Sequence, residues 1–362
     1  HDALPISIVG VYCGPDSTDP RVAEQLRREG ITVESSRAWT AEQAHEAALR
    51  LLDKIQPNII IDDGASFARL ASLERPELTA NLIGVAEETT SGVRAFQQMQ
   101  EAGALTYPVV AVNDSVLKTG FDNAHGTGET CVTTMQRILG EHAFDGKNVT
   151  VIGYGPVGQG FARRIRALGA EVTICDIDPV ASLKAVFDGF AAQDIDEALP
   201  CADMVVSATG VRHTVTLEHM RAMHEGAALA VIGGIANEIA LDEVSDFTPQ
   251  ANRDTAQLIV PDGPTLTLIA DGDGVNYTVG GGNPIEIMDL SFAVQASAVA
   301  YLLEHRGTLD HTLIRLDAAT DQRIAASALK ARGYRASHAV EDNGYDWRLT
   351  RFAENDRENA DR

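Results

Sequence analysis

Residues 148–179, NVTVIGYGPVGQGFARRIRALGAEVTICDIDP, predict the central part of the fold. The apolar run VTVI is typical of a buried strand, the glycine-rich turn after it opens a helix, and EVTICD is typical of the next strand. Gly153 allows a tight turn, Gly155 lets the backbone approach a pyrophosphate, and Gly158 lets the helix pack on the strand. This strand–turn–helix–strand order is typical of a dinucleotide-binding unit.

An acidic residue completes the pattern. Asp176 closes the second strand, where a carboxylate accepts hydrogen bonds from both ribose hydroxyls and repels a 2′-phosphate. The helix that begins at Pro156 and Val157 offers free N–H groups to the phosphates. The segment therefore predicts NAD as the cofactor in preference to NADP. The alternative is an ordinary strand–turn–helix without a ligand.

The composition excludes several classes of partner. The 362 residues include 52 Asp and Glu against 29 Lys and Arg, a net charge of -23. This field repels a nucleic-acid duplex or an anionic membrane, so neither is expected as a partner. No apolar run of about 18 residues predicts a membrane span, no signal peptide is evident, and no His/Cys/Asp cluster has metal-ligand spacing. The four cysteines form no C-x-x-C pair, which favours free thiols in a reducing cytoplasm.

Strands and helices alternate on both sides of the glycine-rich segment. Residues 6–13, 31–36 and 58–64 are typical of strands, whereas 41–55 repeats apolar residues at helical spacing. A second alternating series begins at about residue 148. Such alternation predicts an α/β fold with parallel sheets and helices on both faces.

Seven words of the sequence resemble the S-adenosylhomocysteine hydrolase family in content, order and spacing. They are IIDDG (60–64), EETTSGV (87–93), NDSV-x-K-x-x-FDN (113–123), VIGYGPVGQG (151–160), DIDP (176–179), SATG (207–210) and VN (275–276). The resemblance implies a Rossmann NAD-binding domain hinged to a larger-sheet α/β substrate domain. The expected divisions are 1–118 for the first part of the substrate domain, 119–281 for the NAD domain, 282–320 for the return segment and 321–362 for a C-terminal segment.

The resemblance also implies an internal redox cycle on a nucleoside. In that family, tightly held NAD⁺ oxidises the 3′-hydroxyl to a ketone, which acidifies the C4′ proton. Loss of this proton expels the 5′ substituent, water adds at C5′, and NADH returns the hydride. The cofactor thereby carries the step that protein side chains cannot perform. The family also implies a homo-oligomer, a dimer or a tetramer.

The roles of individual residues follow from the same resemblance. Lys118 is the expected base at the 3′-hydroxyl, Asp122 and Glu88 are expected to bind the ribose hydroxyls, and Asp63 is expected to transfer protons near C4′ and C5′. The expected cofactor contacts further include Thr89, Thr90, Ser91, Asn123, Thr209, Gly210, Ile232 and Asn276, and the expected substrate contacts further include Asn283 and Met288.

Taken singly, several of these residues have a simpler interpretation. The pair Asp62-Asp63 at a strand end is also typical of a helix N-cap. Thr89-Thr90 fits a loop or a helix cap, and Lys118 fits a solvated surface lysine. Their joint arrangement is what favours the functional interpretation.

The chain departs from the family pattern at positions that bear on the substrate. The first strand–helix connection, residues 13–20, lacks the family's histidine; Gly234 and Asn283 stand where two further histidines are expected. Thr127 replaces a cysteine and Ala181 replaces an asparagine. The family's Lys/Tyr C-terminal tail is not recognisable. The residues expected to act in the oxidation therefore match the family, whereas several of those expected to act in the later steps do not.

Three functions remain open at this stage. The first is a nucleoside dehydratase that eliminates water from a terminal CH₂OH and leaves a 4′,5′-alkene, with His125 as a replacement acid or as a histidine packed near the cofactor without a catalytic role. The second is a true S-adenosylhomocysteine hydrolase. The third is a non-catalytic NAD-binding regulator, which intact Lys118, Asp122 and Asp63 disfavour.

Overall fold

Short apolar runs form the strands, and longer runs with apolar residues at helical spacing form the helices. A computed structural model describes residues 9–15, 17–234, 237–245, 247–248 and 253–338. Its strands are β1 (Gly10–Cys13), β2 (Thr32–Ser35), β3 (Ile59–Asp62), β4 (Gly84–Glu87), β5 (Val109–Ala111), β6 (Asn148–Ile152), β7 (Glu171–Cys175), β8 (Ala191–Ala192), β9 (Met204–Ser207), β10 (Ala228–Val231), β11 (Thr255–Ile259), β12 (Thr265–Ile269) and β13 (Leu313–Ile314).

The helices lie between the strands, as the alternating pattern predicts. They are α1 (Pro20–Arg28), α2 (Ala41–Ile55), α3 (Ser66–Glu74), α4 (Pro76–Thr79), α5 (Thr90–Glu101), α6 (Val116–Lys118), α7 (Gly128–Leu139), α8 (Pro156–Ala167), α9 (Pro179–Phe187), α10 (Ile195–Ala198), α11 (Leu217–Ala222), α12 (Val275–Thr278), α13 (Ile285–Glu304) and α14 (Ala318–Ala331). A π-helix, Thr119–Thr127, joins α6 to α7.

The glycine-rich segment lies in the middle of a seven-stranded sheet with the order β11-β12-β10-β9-β6-β7-β8. The chain runs from β6 to β7 and β8 on one side and returns to β9 on the other, so the strand order reverses between β6 and β9. A crevice forms at such a switch point, outside the carboxyl ends of the strands, and binds ligands in open α/β sheets. The α/β class and the Rossmann arrangement are thus confirmed.

A second, four-stranded parallel sheet has the order β13-β5-β4-β3. Asp62 pairs in register with Glu87 on β4, and Glu87 pairs with Ala111 on β5. The residues that follow these three strands therefore meet at one edge of the sheet. This register explains how IIDDG, EETTSGV and NDSV, which are distant in sequence, converge.

Two details of the predicted sheets are wrong. The sheet outside the Rossmann unit is the smaller one among the described residues, because β1 pairs only with β2 and forms a separate two-stranded sheet. The strand predicted at 6–13 begins outside the described residues. The larger sheet is also not wholly parallel: β11 runs antiparallel to β12, because a tight turn in which Val260 N–H donates to Pro264 O joins them as a hairpin.

Helix α13 leaves the Rossmann sheet and packs against the four-stranded one. Its residues Val294, Ala298 and Leu302 are buried in one cluster with Ala86 of β4 and Leu117 of α6. We propose on this basis that the divisions near 118 and 281 separate the Rossmann unit from a substrate unit, which the return segment completes.

The expectation that no apolar run is long enough to span a membrane is wrong for α13. This 20-residue helix is long and apolar enough by length and composition alone. A single such helix is weak evidence for a membrane, because core helices of globular proteins pass the same test. Its packing against β4 gives it a place in the core.

Substitutions at two glycines of the turn between β6 and α8 should affect stability and NAD binding separately. A Cβ on Gly158 would lie 2.0 Å from the carbonyl oxygen of Gly153, whereas a Cβ on Gly155 would meet no described atom within 4 Å. We expect Gly158→Ala to lower the free energy of unfolding by about 1–3 kcal/mol through overpacking. Gly155→Ala should leave stability without NAD unchanged and abolish NAD binding, because its methyl group would occupy the pyrophosphate position.

Thermal unfolding of both variants, with NAD removed and with NAD added, measures the two effects. Equal destabilisation of the two NAD-free variants would contradict the assigned packing role of Gly158.

Candidate active site and cofactor site

The cofactor site begins at the turn between β6 and α8. Gly153 has a φ of +96°, which favours glycine, and its N–H donates to the carbonyl of Cys175. Gly155 is the N-cap of α8, and no side chain caps this helix end. The amides of the first turn, which starts at Pro156 and Val157, are therefore available to a pyrophosphate. These features fit NAD.

Asp176 faces this turn from the end of β7. Its carboxylate accepts from the backbone N–H of Tyr154 at 2.6 Å and of Asp178 at 2.8 Å. These two bonds fix the carboxylate beside the glycine turn. Each carboxylate oxygen retains a lone pair for a ribose hydroxyl. The placement is the one that the sequence predicts for NAD.

A buried carboxylate that the sequence analysis missed holds the SATG loop. Glu238 is fully buried and accepts from the N–H groups of Thr209 and Gly210 at 3.1 Å each, and from the hydroxyl of Ser207 at 2.6 Å. Burial raises the pKa of Glu238, and these donors lower it. The glutamate thus fixes the loop that carries two predicted cofactor residues. Ile232, a third, is buried directly after β10.

The two aspartates after β3 have different tasks. Asp62 is buried and accepts from the N–H groups of Phe67 and Ala68, so it caps the first turn of α3. Asp63 is exposed in the cleft. The surrounding protein raises the pKa of Asp63, Lys118 lowers it and Asp122 raises it; solvent reduces all three effects. The helix-cap interpretation therefore applies to Asp62 and not to Asp63.

The two glutamates after β4 also differ. Glu87 is fully buried and accepts from the N–H groups of Gly64, Ala65 and Thr89 and from the hydroxyl of Thr89. It ties the loop after β3 to the start of α5. In contrast, both carboxylate oxygens of Glu88 are buried without a hydrogen-bond partner among the described residues. Burial raises the pKa of Glu88 to about 7.

Thr89 also caps α5, as the simpler interpretation predicts. Its hydroxyl accepts from Gly92 N–H at 3.1 Å and lies 3.2 Å from the Ser91 hydroxyl. The hydroxyl of Thr90 donates to Asn113 at 2.9 Å. The structure thus assigns Thr89 a structural contact and places Thr90 in the network around Asn123.

Lys118 lies at the junction of α6 and the π-helix and is buried. Its Nζ is 2.7 Å from Oδ2 of Asp122 and 2.7 Å from Oδ1 of Asn123. The amide nitrogen of Asn123 donates to Thr119 and Asn113 at 3.3 and 3.4 Å. The π-helix turns Asp122 and Asn123 inward together, and such helices are frequent at functional sites. Lys118 is therefore not a solvated surface lysine.

Asn283 links this cluster to the Rossmann sheet. Its Nδ2 donates to Asp122, and its Oδ1 accepts from Asn276 on α12 and from Thr130 on α7, at 3.0 Å each. A Cβ on Gly126 would lie 2.9 Å from this amide, so glycine there makes room for it. Asn283 is thus held by protein groups and joins the expected substrate contact Asp122 to the expected cofactor contact Asn276.

His125 is not part of the cluster. Its side chain is exposed, its ring stands 6.1 Å from that of Phe121, and its Nδ1 lies 3.2 Å from Nη2 of Arg164 on α8. The π-helix directs Asp122 inward and His125 outward. The geometry gives no support to its role as a replacement acid. Met288, on the first turns of α13, is half-buried and has no polar contact by which to test its role.

The fold and the two sites define an NAD-dependent enzyme with a charged cluster on a second sheet. A family model described as "S-adenosyl-L-homocysteine hydrolase, NAD binding domain" matches residues 123–282. An adenosylhomocysteinase of Thermotoga maritima is 38% identical over 341 residues, 93% of this chain and 84% of that protein. An S-inosyl-L-homocysteine hydrolase of Methanopyrus kandleri is 36% identical over 332 residues, 91% of this chain and 77% of that protein. The chain belongs to the S-adenosylhomocysteine hydrolase family, and NAD is its cofactor.

The pKa of Glu88 predicts a pH dependence of stability. The folded chain holds this proton up to about pH 7, whereas an unfolded glutamate loses it near 4.5. The stability from the neutral carboxyl is thus fully present below about pH 4.5 and is lost as the pH rises through about 7. In Glu88→Gln this loss is absent, so the variant should gain up to about 3 kcal/mol over the wild type between pH 4 and 8.

Urea denaturation of the substrate-free protein across this pH range measures the difference. Glu101→Gln, at an exposed position on α5, is the control and should follow the wild type. A Glu88→Gln curve parallel to that of the wild type would show that Glu88 does not titrate as assigned.

Proposed function

We propose that the enzyme oxidises the 3′-hydroxyl of a nucleoside, removes the C4′ proton and eliminates the 5′ substituent. The observation that carries this proposal is the unpaired, buried carboxylate of Glu88 beside the Lys118–Asp122 pair. A carboxylate in this position accepts hydrogen bonds from a ligand hydroxyl. The family membership supports the same chemistry.

In this proposal Lys118 acts as the base at the 3′-hydroxyl. Its Nζ has two acceptors, Asp122 and Asn123. Once the amine has given up a proton, it donates one N–H to each of them, and its lone pair takes the hydroxyl proton. The chemistry that NAD supplies when bound is the reversible oxidation of the C3′ carbinol.

In this proposal Asp63 also performs the later proton transfers. A ketone at C3′ acidifies the C4′–H bond; the Asp63 carboxylate takes this proton, and the electron pair that remains at C4′ forms the C4′=C5′ bond as the 5′ substituent leaves. The proton that Asp63 has taken then passes to the leaving group, so that a poor one such as hydroxide leaves as water. Glu88 and Asp122 hold the sugar during these steps.

We infer that the eliminated group is hydroxide, so that the products are water and, once the hydride has returned to C3′, a 4′,5′-unsaturated nucleoside. Gly234 carries no side chain, and the amide of Asn283 neither gains nor loses a proton and is held by protein groups. Both stand where the family pattern has histidine. The chain thus departs from the family pattern at two proton-handling positions, which supports a reaction that differs from the family's hydrolysis.

A second candidate is hydrolysis of an S-nucleosylhomocysteine thioether. The named activities of the relatives, adenosylhomocysteinase and S-inosyl-L-homocysteine hydrolase, favour it. The two candidates share the oxidation and differ in the leaving group. A non-catalytic role would show no reduction of bound NAD by any nucleoside. Homo-oligomeric assembly and a cytoplasmic location stay predictions.

Product analysis separates the candidates. Purified holoenzyme is incubated with adenosine and, separately, with S-adenosylhomocysteine, and products are identified by mass spectrometry. The dehydratase proposal predicts a product lighter than adenosine by one water. Release of adenosine from S-adenosylhomocysteine, without loss of water from adenosine, would replace it by the second candidate.

Two variants test the assigned roles. Lys118→Arg keeps the cation beside Asp122 but removes the base, so the absorbance of bound NADH should no longer rise when nucleoside is added. Asp63→Asn should still form NADH but should slow elimination by about 10²- to 10⁴-fold. The exposed Lys147→Arg is the control for the first variant. Full NADH formation in Lys118→Arg would contradict the role of Lys118.

A further inference from the structure

Two buried polar side chains on the same side of the site lack a hydrogen-bond partner among the described residues. They are Glu88, after β4, and Ser291, on α13; neither their carboxylate oxygens nor the Oγ has a hydrogen-bond partner among the described residues. Glu88 is 6% exposed and Ser291 is 0% exposed. Buried side chains of this kind are nearly always satisfied in native proteins, so a pair of exceptions calls for a ligand.

The two groups lie close to each other. Ser291 lies one helical turn before Val294 on the same face of α13, and Val294 is buried in one cluster with Ala86, two residues before Glu88. This packing places the Ser291 hydroxyl on the side of Glu88, whose pKa it lowers. The neighbours of Ser291 on α13, Leu290 and Val294, are buried and apolar. A hydroxyl among them contributes nothing to packing that a methyl group would not.

The chemistry of the pair defines what can satisfy both. An ionised carboxylate only accepts hydrogen bonds, whereas a serine hydroxyl also donates one. A ligand hydroxyl that donates to Glu88 and accepts from Ser291 gives both groups the hydrogen-bond partner that they lack. Water would do the same, but the proposed substrate carries such hydroxyls on its sugar.

We propose that Ser291 and Glu88 bind one and the same sugar hydroxyl of the substrate, from two sides. This inference rests on the proposed function, because it requires a nucleoside in the site. It gives α13, the segment that follows the Rossmann sheet, a direct role in substrate selection. Lys118 and Asp122 then remain free for the neighbouring hydroxyl.

A cycle of variants and deoxy analogues tests this inference. The affinities of adenosine, 2′-deoxyadenosine and 3′-deoxyadenosine are measured by calorimetry for the NAD-loaded wild type and for Ser291→Ala. Loss of one neutral hydrogen bond should weaken adenosine binding by about five- to tenfold. The same substitution should leave unchanged the affinity for whichever analogue lacks the hydroxyl in question.

Ser297→Ala is the matched control. Ser297 lies on the same helix, but its hydroxyl donates to the Ala293 carbonyl at 2.9 Å. This variant should bind all three nucleosides as the wild type does. Ser291→Ala should also keep the melting temperature of the substrate-free protein, because it removes an unpaired hydroxyl and not a native contact.

The outcomes separate this inference from the proposed function. Equal losses for all three nucleosides, or none for adenosine, would overturn the role of Ser291 while the proposed function stands. A lower melting temperature with equal losses would make Ser291 a structural residue. If the wild type binds neither adenosine nor inosine and neither reduces its NAD, the proposed function fails and this inference fails with it.

Discussion

The buried ion pair between Lys118 and Asp122 is the contact around which the other acidic groups of the site are arranged. Burial is the main cause that raises the pKa of Asp63 and of Glu88; Lys118 lowers both pKa values and Asp122 raises both. Taking both charges out of water is costly, and removal of one partner from such a pair costs about 3–5 kcal/mol because the other charge stays buried. The pair therefore contributes little to stability by itself. It holds an amine where a substrate hydroxyl can reach it, and Asn123 supplies the second contact that orients this amine.

The backbone makes this pair through an irregular helix. In a regular α-helix, side chains three or four residues apart share a face, and consecutive side chains do not. The π-helix brings the consecutive residues Asp122 and Asn123 to one buried side and leaves His125 exposed. No periodicity in the sequence predicts the π-helix. His125 was therefore expected to lie in the site with the other polar residues of its segment. The NDSV and FDN segments supported the prediction through the residues they contain and not through a helical periodicity.

The sequence allowed much of the fold to be predicted, because strand ends and glycine turns follow from local rules. The turn at Gly153 needs a positive φ, and Asp176 must follow the next strand to face it. Glu87 and Glu238 escaped notice because their task is to bind backbone N–H groups of loops that are distant in sequence. A carboxylate with such a task looks like any other acidic residue until the loops are in place. The β11–β12 hairpin was missed although β11 alternates exposed and buried residues, as antiparallel strands do.

One contact between the two sheets is made by an amide that cannot titrate. Asn283 connects Asp122 to Asn276 by amide hydrogen bonds. Another contact is charged, because the Arg94 guanidinium on α5 donates to the Thr209 carbonyl at 3.1 Å. The acids and bases among the assigned groups lie on the four-stranded sheet and on the segment that follows it. In the proposed mechanism the proton transfers therefore fall to groups on the substrate side, and addition of water at C5′, as the reverse of its elimination, would use those same groups.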